Sequence, residues 1–151
     1  MNDRIIIVSG YFNPLHRGHI EYIDAANALF WARCTLIAIV NNDLQVGLKG
    51  GVPYIDEDER AFIVKNLKRI DEVIISKDRD LTVSETLKHI VCQCGAKPDY
   101  HFINSGDREP STYPKSEVAV CETFGITQHF IELPKVNNSS DIREKMANRG
   151  V

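Results

Sequence analysis

The chain has 151 residues, 43% of them hydrophobic and 26% charged, the profile of one globular domain, which excludes disorder and fibrous repeats. Its 18 Lys and Arg against 21 Asp and Glu leave a formal net charge of -3, which excludes a general nucleic-acid coat yet permits a pocket for a small anion. Apolar runs such as 5–8 and 36–40 fall far short of the roughly 20 residues that cross a bilayer, so no membrane span is expected.

Met1 leads directly into a strand-like run without an apolar leader segment, which predicts a cytoplasmic protein. That run, residues 5–8, is continuously β-branched and ends at Ser9-Gly10, as a strand buried on both faces of a parallel sheet does. Ile20, Ile23, Asn27 and Phe30 then recur at helical spacing, predicting a helix of about three turns from near His19. Residues 34–40 read as the second strand. Residues 41–55 carry Asn41-Asn42-Asp43, Lys49-Gly50-Gly51 and Pro53 with no apolar period, which predicts a long, mobile loop. Asp56, with Glu59 three residues on, opens a helix whose apolar stripe is Phe62, Ile63, Leu67 and Ile70.

Residues 73–75 are the third strand. Thr82-x-x-Glu85 predicts a capping box, followed by Val83, Leu87, Ile90, Val91 and Cys94 on one face and a stop at Gly95. A fourth strand at 100–103 ends in Asn104-Ser105-Gly106-Asp107-Arg108. A helix at 115–124 stops at Gly125, a fifth strand covers 128–133, and a last helix at 141–148 is capped by Ser139 or Ser140. Cys34, Cys92, Cys94 and Cys121 include a C-x-C rather than a C-x-x-C pair and read as reduced and mostly buried.

Alternation of strand and helix predicts a single α/β domain over 1–151, a Rossmann-like, doubly wound, five-stranded parallel sheet of order 3-2-1-4-5. Ligands bind such sheets at the C-terminal strand ends beside the switch point, between the first and fourth strands. The segments after Val8 and Ile103 are therefore expected to face each other across the site.

The segment from Ser9 to His19 joins the first strand to the first helix. Gly10 lets backbone amides approach a ligand, and the helix N-terminus attracts anions. His16 and His19 both project there, where imidazoles can donate to a phosphate. The pattern Gly10-x-Phe12-Asn13-x-x-His16-x-Gly18-His19 resembles the signature of the HxGH nucleotidyltransferase superfamily, most closely its cytidylyltransferase-like branch. Ser139-Ser140-Asp141-Ile142-Arg143 is similar to the family's serine-rich segment at the start of the last helix; in isolation it reads as an ordinary Ser cap.

The resemblance implies transfer of a nucleotidyl group from a nucleoside triphosphate to a small phosphorylated substrate, with pyrophosphate leaving and no covalent enzyme intermediate. It implies His16, His19 and Lys49 as catalytic groups, and Gly10, Tyr11, Phe12, Asn13, Gly18, Gly106, Asp107, Ser139, Ser140 and Arg143 as the nucleotide-binding set. Arg60 and Asp43 would meet the acceptor, and Lys135 takes the place of a basic residue that some relatives carry. Each has a plainer reading: Lys49 as a solvated loop lysine, Arg60 as an exposed helix charge paired with Asp56 or Glu57, Asp107 as a turn cap.

Many cytidylyltransferases carry Asp where this sequence has Asn13, a weaker ligand for a hard cation. No metal ligand is accordingly expected from the protein itself, with Mg²⁺ arriving on the triphosphate. The compact size and the Lys49-Gly50-Gly51 loop look like glycerol-phosphate cytidylyltransferases, which points to CTP and a glycerol 3-phosphate-like acceptor. The alternatives are an adenylyltransferase using ATP and a sugar phosphate of the heptose type, and a non-catalytic nucleotide-binding module. A metal-dependent hydrolase with His16 and His19 as ligands would need a third ligand and leaves the serine segment unexplained. Family likeness also implies a homodimer.

Overall fold

In the computed structural model the described residues are 3–30, 32–106, 108–133, 144–145 and 147–148. The β-branched run forms β1, Arg4–Gly10, whose Ile5, Ile6, Ile7 and Val8 have no exposed surface. Burial on both faces follows from its central place: β2, Thr35–Val40, lies on one side and β4, Asp99–Ser105, on the other. The edges are β3, Glu72–Ile75, and β5, Ile126–Ile131, and all pairings are parallel in the order β3-β2-β1-β4-β5, as expected.

Helices that cover the sheet among the described residues are α1, Arg17–Asn27; α2, Asp43–Leu48; α3, Glu57–Lys65; α4, Ser84–Cys94; and α5, Lys115–Phe124. Ile5, Ile7, Ile37 and Ile39 point to one face, where they pack with Leu87 and Ile90 of α4 and Cys121 of α5. Ile6, Val8, Leu36 and Ala38 point to the other, against Tyr22 and Ile23 of α1 and Val64 of α3. Period-two alternation thus feeds two cores from one set of strands. Gly125 ends α5 with a left-handed φ of 71°, which its missing Cβ permits without strain.

Four expectations need correction. Residues 41–55 are not one loop, because α2 interrupts them. Asn42 caps it by accepting from the Gln45 N–H at 2.9 Å, and the fully buried Gln45 accepts from the Asn42 N–H and the Asn41 amide. Its own amide donates to the Asp80 and Thr82 carbonyls, both at 2.8 Å, so a polar network replaces the apolar period that marks most helices.

The buried face of α3 is also different. Arg60 and Val64 lie inside, whereas Phe62 is 70% exposed, because a stripe read from apolar residues alone passes over a fully hydrogen-bonded arginine. The start of α4 is not a Thr82 capping box. Thr82 bonds to Asp80, while the buried Asp78 carboxylate accepts from the Glu85 and Thr86 N–H groups at 2.8 and 3.0 Å. Of the cysteines, all free, Cys121 alone is buried and Cys92 is exposed. Other element ends differ by one to three residues, α1 beginning at Arg17 and β5 at Ile126, while α3 stops at Lys65, before Leu67 and Ile70 of the expected stripe. The expected helix at 141–148 lies largely outside the described residues.

Asp78 also accepts from the Thr86 hydroxyl at 2.5 Å and joins the Ser76 hydroxyl, so its loss orphans several buried donors. Asp78→Ala is expected to lower unfolding free energy by about 2 kcal/mol or more, through the lost cap and the unpaired groups. Urea unfolding checks this; a change below about 0.5 kcal/mol would show that water replaces the carboxylate at little cost.

Candidate active site

The segment from Ser9 to His19 crosses the C-terminal edge of the sheet at the switch point. Tyr22, buried in α1, ties the two sides together: its hydroxyl donates to the Ile103 carbonyl of β4 and accepts from the Ser9 N–H of β1 at 3.3 Å. Phe12 turns the chain with a left-handed φ of 51°, a conformation that costs a non-glycine residue about 1–2 kcal/mol. Its ring is buried, lies 4.9 Å from the His19 ring, and occupies the space beside Gly10, where an added Cβ would meet it at 3.0 Å. Gly10 therefore makes room for Phe12, a reason that turn chemistry alone did not reveal.

The two histidines are the caps of α1. His16 is the N-cap and accepts the Gly18 N–H on Nδ1 at 3.0 Å, while His19 accepts the His16 N–H on its own Nδ1 at 3.1 Å. This is a capping box built from imidazoles instead of Ser and Glu, with ring centroids 3.9 Å apart. Because each Nδ1 carries an acceptor lone pair, the proton of each neutral ring sits on Nε2. Burial pushes the His19 imidazole down to about 3, aided by the charge on His16, and burial also lowers His16. Both rings are thus neutral near pH 7 and each carries an Nε2–H donor.

Asn13 is 1% exposed, and both ends of its amide serve the segment before α3. Nδ2 donates to the Val52 carbonyl at 3.0 Å, and Oδ1 accepts from the Tyr54 N–H at 2.8 Å. Aspartate cannot supply the first bond, which accounts for the neutral residue at a position where many cytidylyltransferases carry a carboxylate. Among the described residues, no three His, Cys, Asp or Glu side chains gather to hold a metal.

Arg60 stands elsewhere than expected. Neither an exposed charge nor open to an acceptor, its guanidinium is wholly buried and donates to the Ile55, Tyr11 and Asn41 carbonyls at 2.6–3.1 Å and to Asp43 Oδ1 at 2.6 Å. Asp43 is one-third exposed and begins α2. Lys49 ends that helix rather than riding on a free loop, and its Nζ lies 4.4 Å from the centre of the Tyr11 ring. Gly106 follows β4 with φ 67°. The structure thus brings His16, Gly18, His19, Phe12, Asn13, Tyr11, Lys49, Asp43 and Arg60 into one cluster, while Asp107, Lys135, Ser139, Ser140 and Arg143 lie outside the described residues.

The family model described as cytidylyltransferase-like matches residues 7–145, spanning both the histidine motif and the serine segment. The chain belongs to that family. Among relatives of this cytidylyltransferase-like protein is an FAD synthase of Picrophilus torridus, 29% identical over 93% of this chain and 94% of that one. The bifunctional protein HldE of Helicobacter pylori is 33% identical over 95% of this chain, which spans 28% of HldE. The fold is shared with TmcAL of Thermotoga maritima, solved with alpha-thio ATP: the TM-score is 0.71 at 13% identity, covering 97% of this chain and 50% of that one.

Sequence reasoning missed the capping role of the histidines and passed over Glu117, whose side chain is fully buried and paired with Arg108. Its signal was present: Glu117, Cys121 and Phe124 fall at i, i+4 and i+7, so a carboxylate occupies a core slot of α5. The lowered His19 value predicts that nitrogen NMR of the free protein at pH 6 finds its ring neutral with the proton on Nε2. A doubly protonated His19 at that pH would contradict the geometry.

Proposed function

We propose that this family member transfers an adenylyl group from ATP to a small phosphorylated acceptor. An acceptor phosphate oxygen forms a bond to the α-phosphorus, the bond from that phosphorus to its β-bridging oxygen breaks, and pyrophosphate leaves. The observation that carries this reading is the pair of neutral imidazoles capping α1, each with an Nε2–H donor at the mouth of the switch-point crevice.

Phosphoryl and nucleotidyl transfer need position and charge neutralisation more than a nucleophilic side chain. Donors fixed before the reaction stabilise charge that grows on the non-bridging oxygens without reorganising. His16 and His19 are fixed by their cap bonds, and the α1 N-terminus adds its dipole. Lys49, over Tyr11 on the β2 side, supplies the positive charge to draw in the phosphates. Asp43 and Arg60 shape the acceptor side, Arg60 by holding backbone instead of substrate. Gly106, Asp107, Ser139, Ser140 and Arg143 are proposed, on family likeness, to bind the nucleotide. Mg²⁺ bound to the triphosphate would offset its charge; the amide of Asn13, engaged with Val52 and Tyr54, fits a metal carried by the nucleotide.

ATP is favoured over CTP because FAD synthases are relatives along nearly the full chain and FAD contains an AMP unit. They suggest flavin mononucleotide as an acceptor, and a sugar phosphate of the heptose type is the other that the sequence resemblance implies. CTP with a glycerol phosphate is the second reading, on the Lys49-Gly50-Gly51 turn. Family likeness supports a homodimer, which sedimentation would check. Pyrophosphate release is measured with Mg²⁺, each of ATP, CTP, GTP and UTP, and a panel of flavin, sugar and alcohol phosphates. Release requiring ATP and one acceptor is expected; release requiring CTP selects the second reading, and nucleotide binding without turnover on any pair would sink the enzyme reading.

Variants can separate catalysis from capping. Asn is a strong N-cap and Gln completes a capping box at the third position, so His16→Asn and His19→Gln are expected to preserve the start of α1. Turnover should nevertheless fall by ~10²-fold or more, the scale of losing a preorganised donor. Folded variants with wild-type turnover would remove the imidazoles from the mechanism.

A further inference from the structure

Arg108 lies three residues beyond the end of β4, and its main-chain N–H turns back to the Ser105 carbonyl at 3.4 Å. Its guanidinium is ion-paired with Glu117, whose side chain is fully buried while that of Arg108 is 33% exposed. The other Glu117 oxygen accepts from the Val83 N–H at 3.0 Å, beside the start of α4. A buried carboxylate is costly unless charge and hydrogen bonds compensate it, and pairs of this kind are weak devices for stability alone. This one fixes a cation that keeps one side open to solvent.

Topology sets where that cation stands. β1 lies between β2 and β4, so Lys49 stands over Tyr11 from the β2 side, whereas the segment that carries Arg108 leaves the sheet from the end of β4. The Arg108 charge reaches both Tyr11 and Tyr22, drawing their hydroxyls down against the burial that raises them. The histidines between the two sides are neutral, and Arg60 is sealed inside with Asp43 against it. An anionic chain crossing the motif would meet Lys49 at one end and Arg108 at the other.

We infer that Arg108 binds the nucleotide phosphates on the β4 side of the crevice, and that buried Glu117 is the positioning residue that aims its guanidinium. This rests on the nucleotidyl-transfer reading, and a guanidinium suits the task because its fork of donors matches phosphate oxygens.

The test uses inorganic tripolyphosphate and ATP, each with Mg²⁺, in equilibrium binding, together with steady-state kinetics. Arg108→Ala is expected to weaken both ligands about 10- to 100-fold, the range for charge-assisted hydrogen bonds, with Arg108→Lys recovering part of the loss. Glu117→Gln keeps the volume but frees the guanidinium, so KM for ATP should rise about tenfold while kcat stays within about threefold; a structural role alone would not split the two. Since Arg108→Ala leaves a buried carboxylate unpaired, the double variant Arg108→Ala with Glu117→Gln is measured beside it. A folded double variant that binds tripolyphosphate and ATP as the wild type does would overturn the inference. Wild-type protein that binds no nucleoside triphosphate would instead overturn the nucleotidyl-transfer reading, and this inference with it.

Discussion

The Arg60 guanidinium donates to the carbonyls of Tyr11, Asn41 and Ile55 and to the carboxylate of Asp43, and these acceptors come from four different segments. They are the motif after β1, the end of β2, the approach to α3 and the first turn of α2. Buried carbonyls at strand ends have no ladder partner and would otherwise face a desolvation cost of about 1–3 kcal/mol each. One rigid, permanently charged fork satisfies three of them at once, and Asp43 balances the charge. Tyr11, Lys49 above it, and the loop that Asn13 holds all take their positions from this arrangement.

Around that clamp the site is assembled from neutral donors with cations at its margins. Neutral imidazoles avoid the cost of placing two positive charges 3.9 Å apart between ring centroids. Their hydrogen-bonding roles are fixed by backbone N–H groups, not by carboxylates. The same cap bonds that make each Nδ1 an acceptor also start α1. Helix formation and the chemistry of the site are therefore one set of interactions, and a substitution at either histidine acts on both.

Family membership places the chain among nucleotidyltransferases, with FAD synthase and HldE among its relatives. Parallel sheets of this kind carry function in the loops beyond the strand ends. In this chain those loops hold a buried amide at Asn13, a polar helix at Asp43–Leu48 and an arginine braced by Glu117. Each is a hydrogen-bonding solution to a crowded, partly dry edge, and each bears on a different portion of the crevice.

Local pattern alone determined the strand at β1, the stop of α5 at Gly125 and the family motif, because these depend on burial periodicity, a left-handed glycine and spacing along one chain. Helix α2, the buried face of α3 and the cap of α4 were not legible, since Gln45, Arg60 and Asp78 each read as surface residues until distant carbonyls and N–H groups supply their partners. The same holds within the site: the sequence named His16 and His19, but which nitrogen carries the proton depends on backbone geometry at the turn into α1. Arg108 and Glu117 required the fold most of all. A salt bridge acquires its meaning from what surrounds it, and only tertiary packing buries the Glu117 carboxylate while leaving the Arg108 side chain one-third exposed.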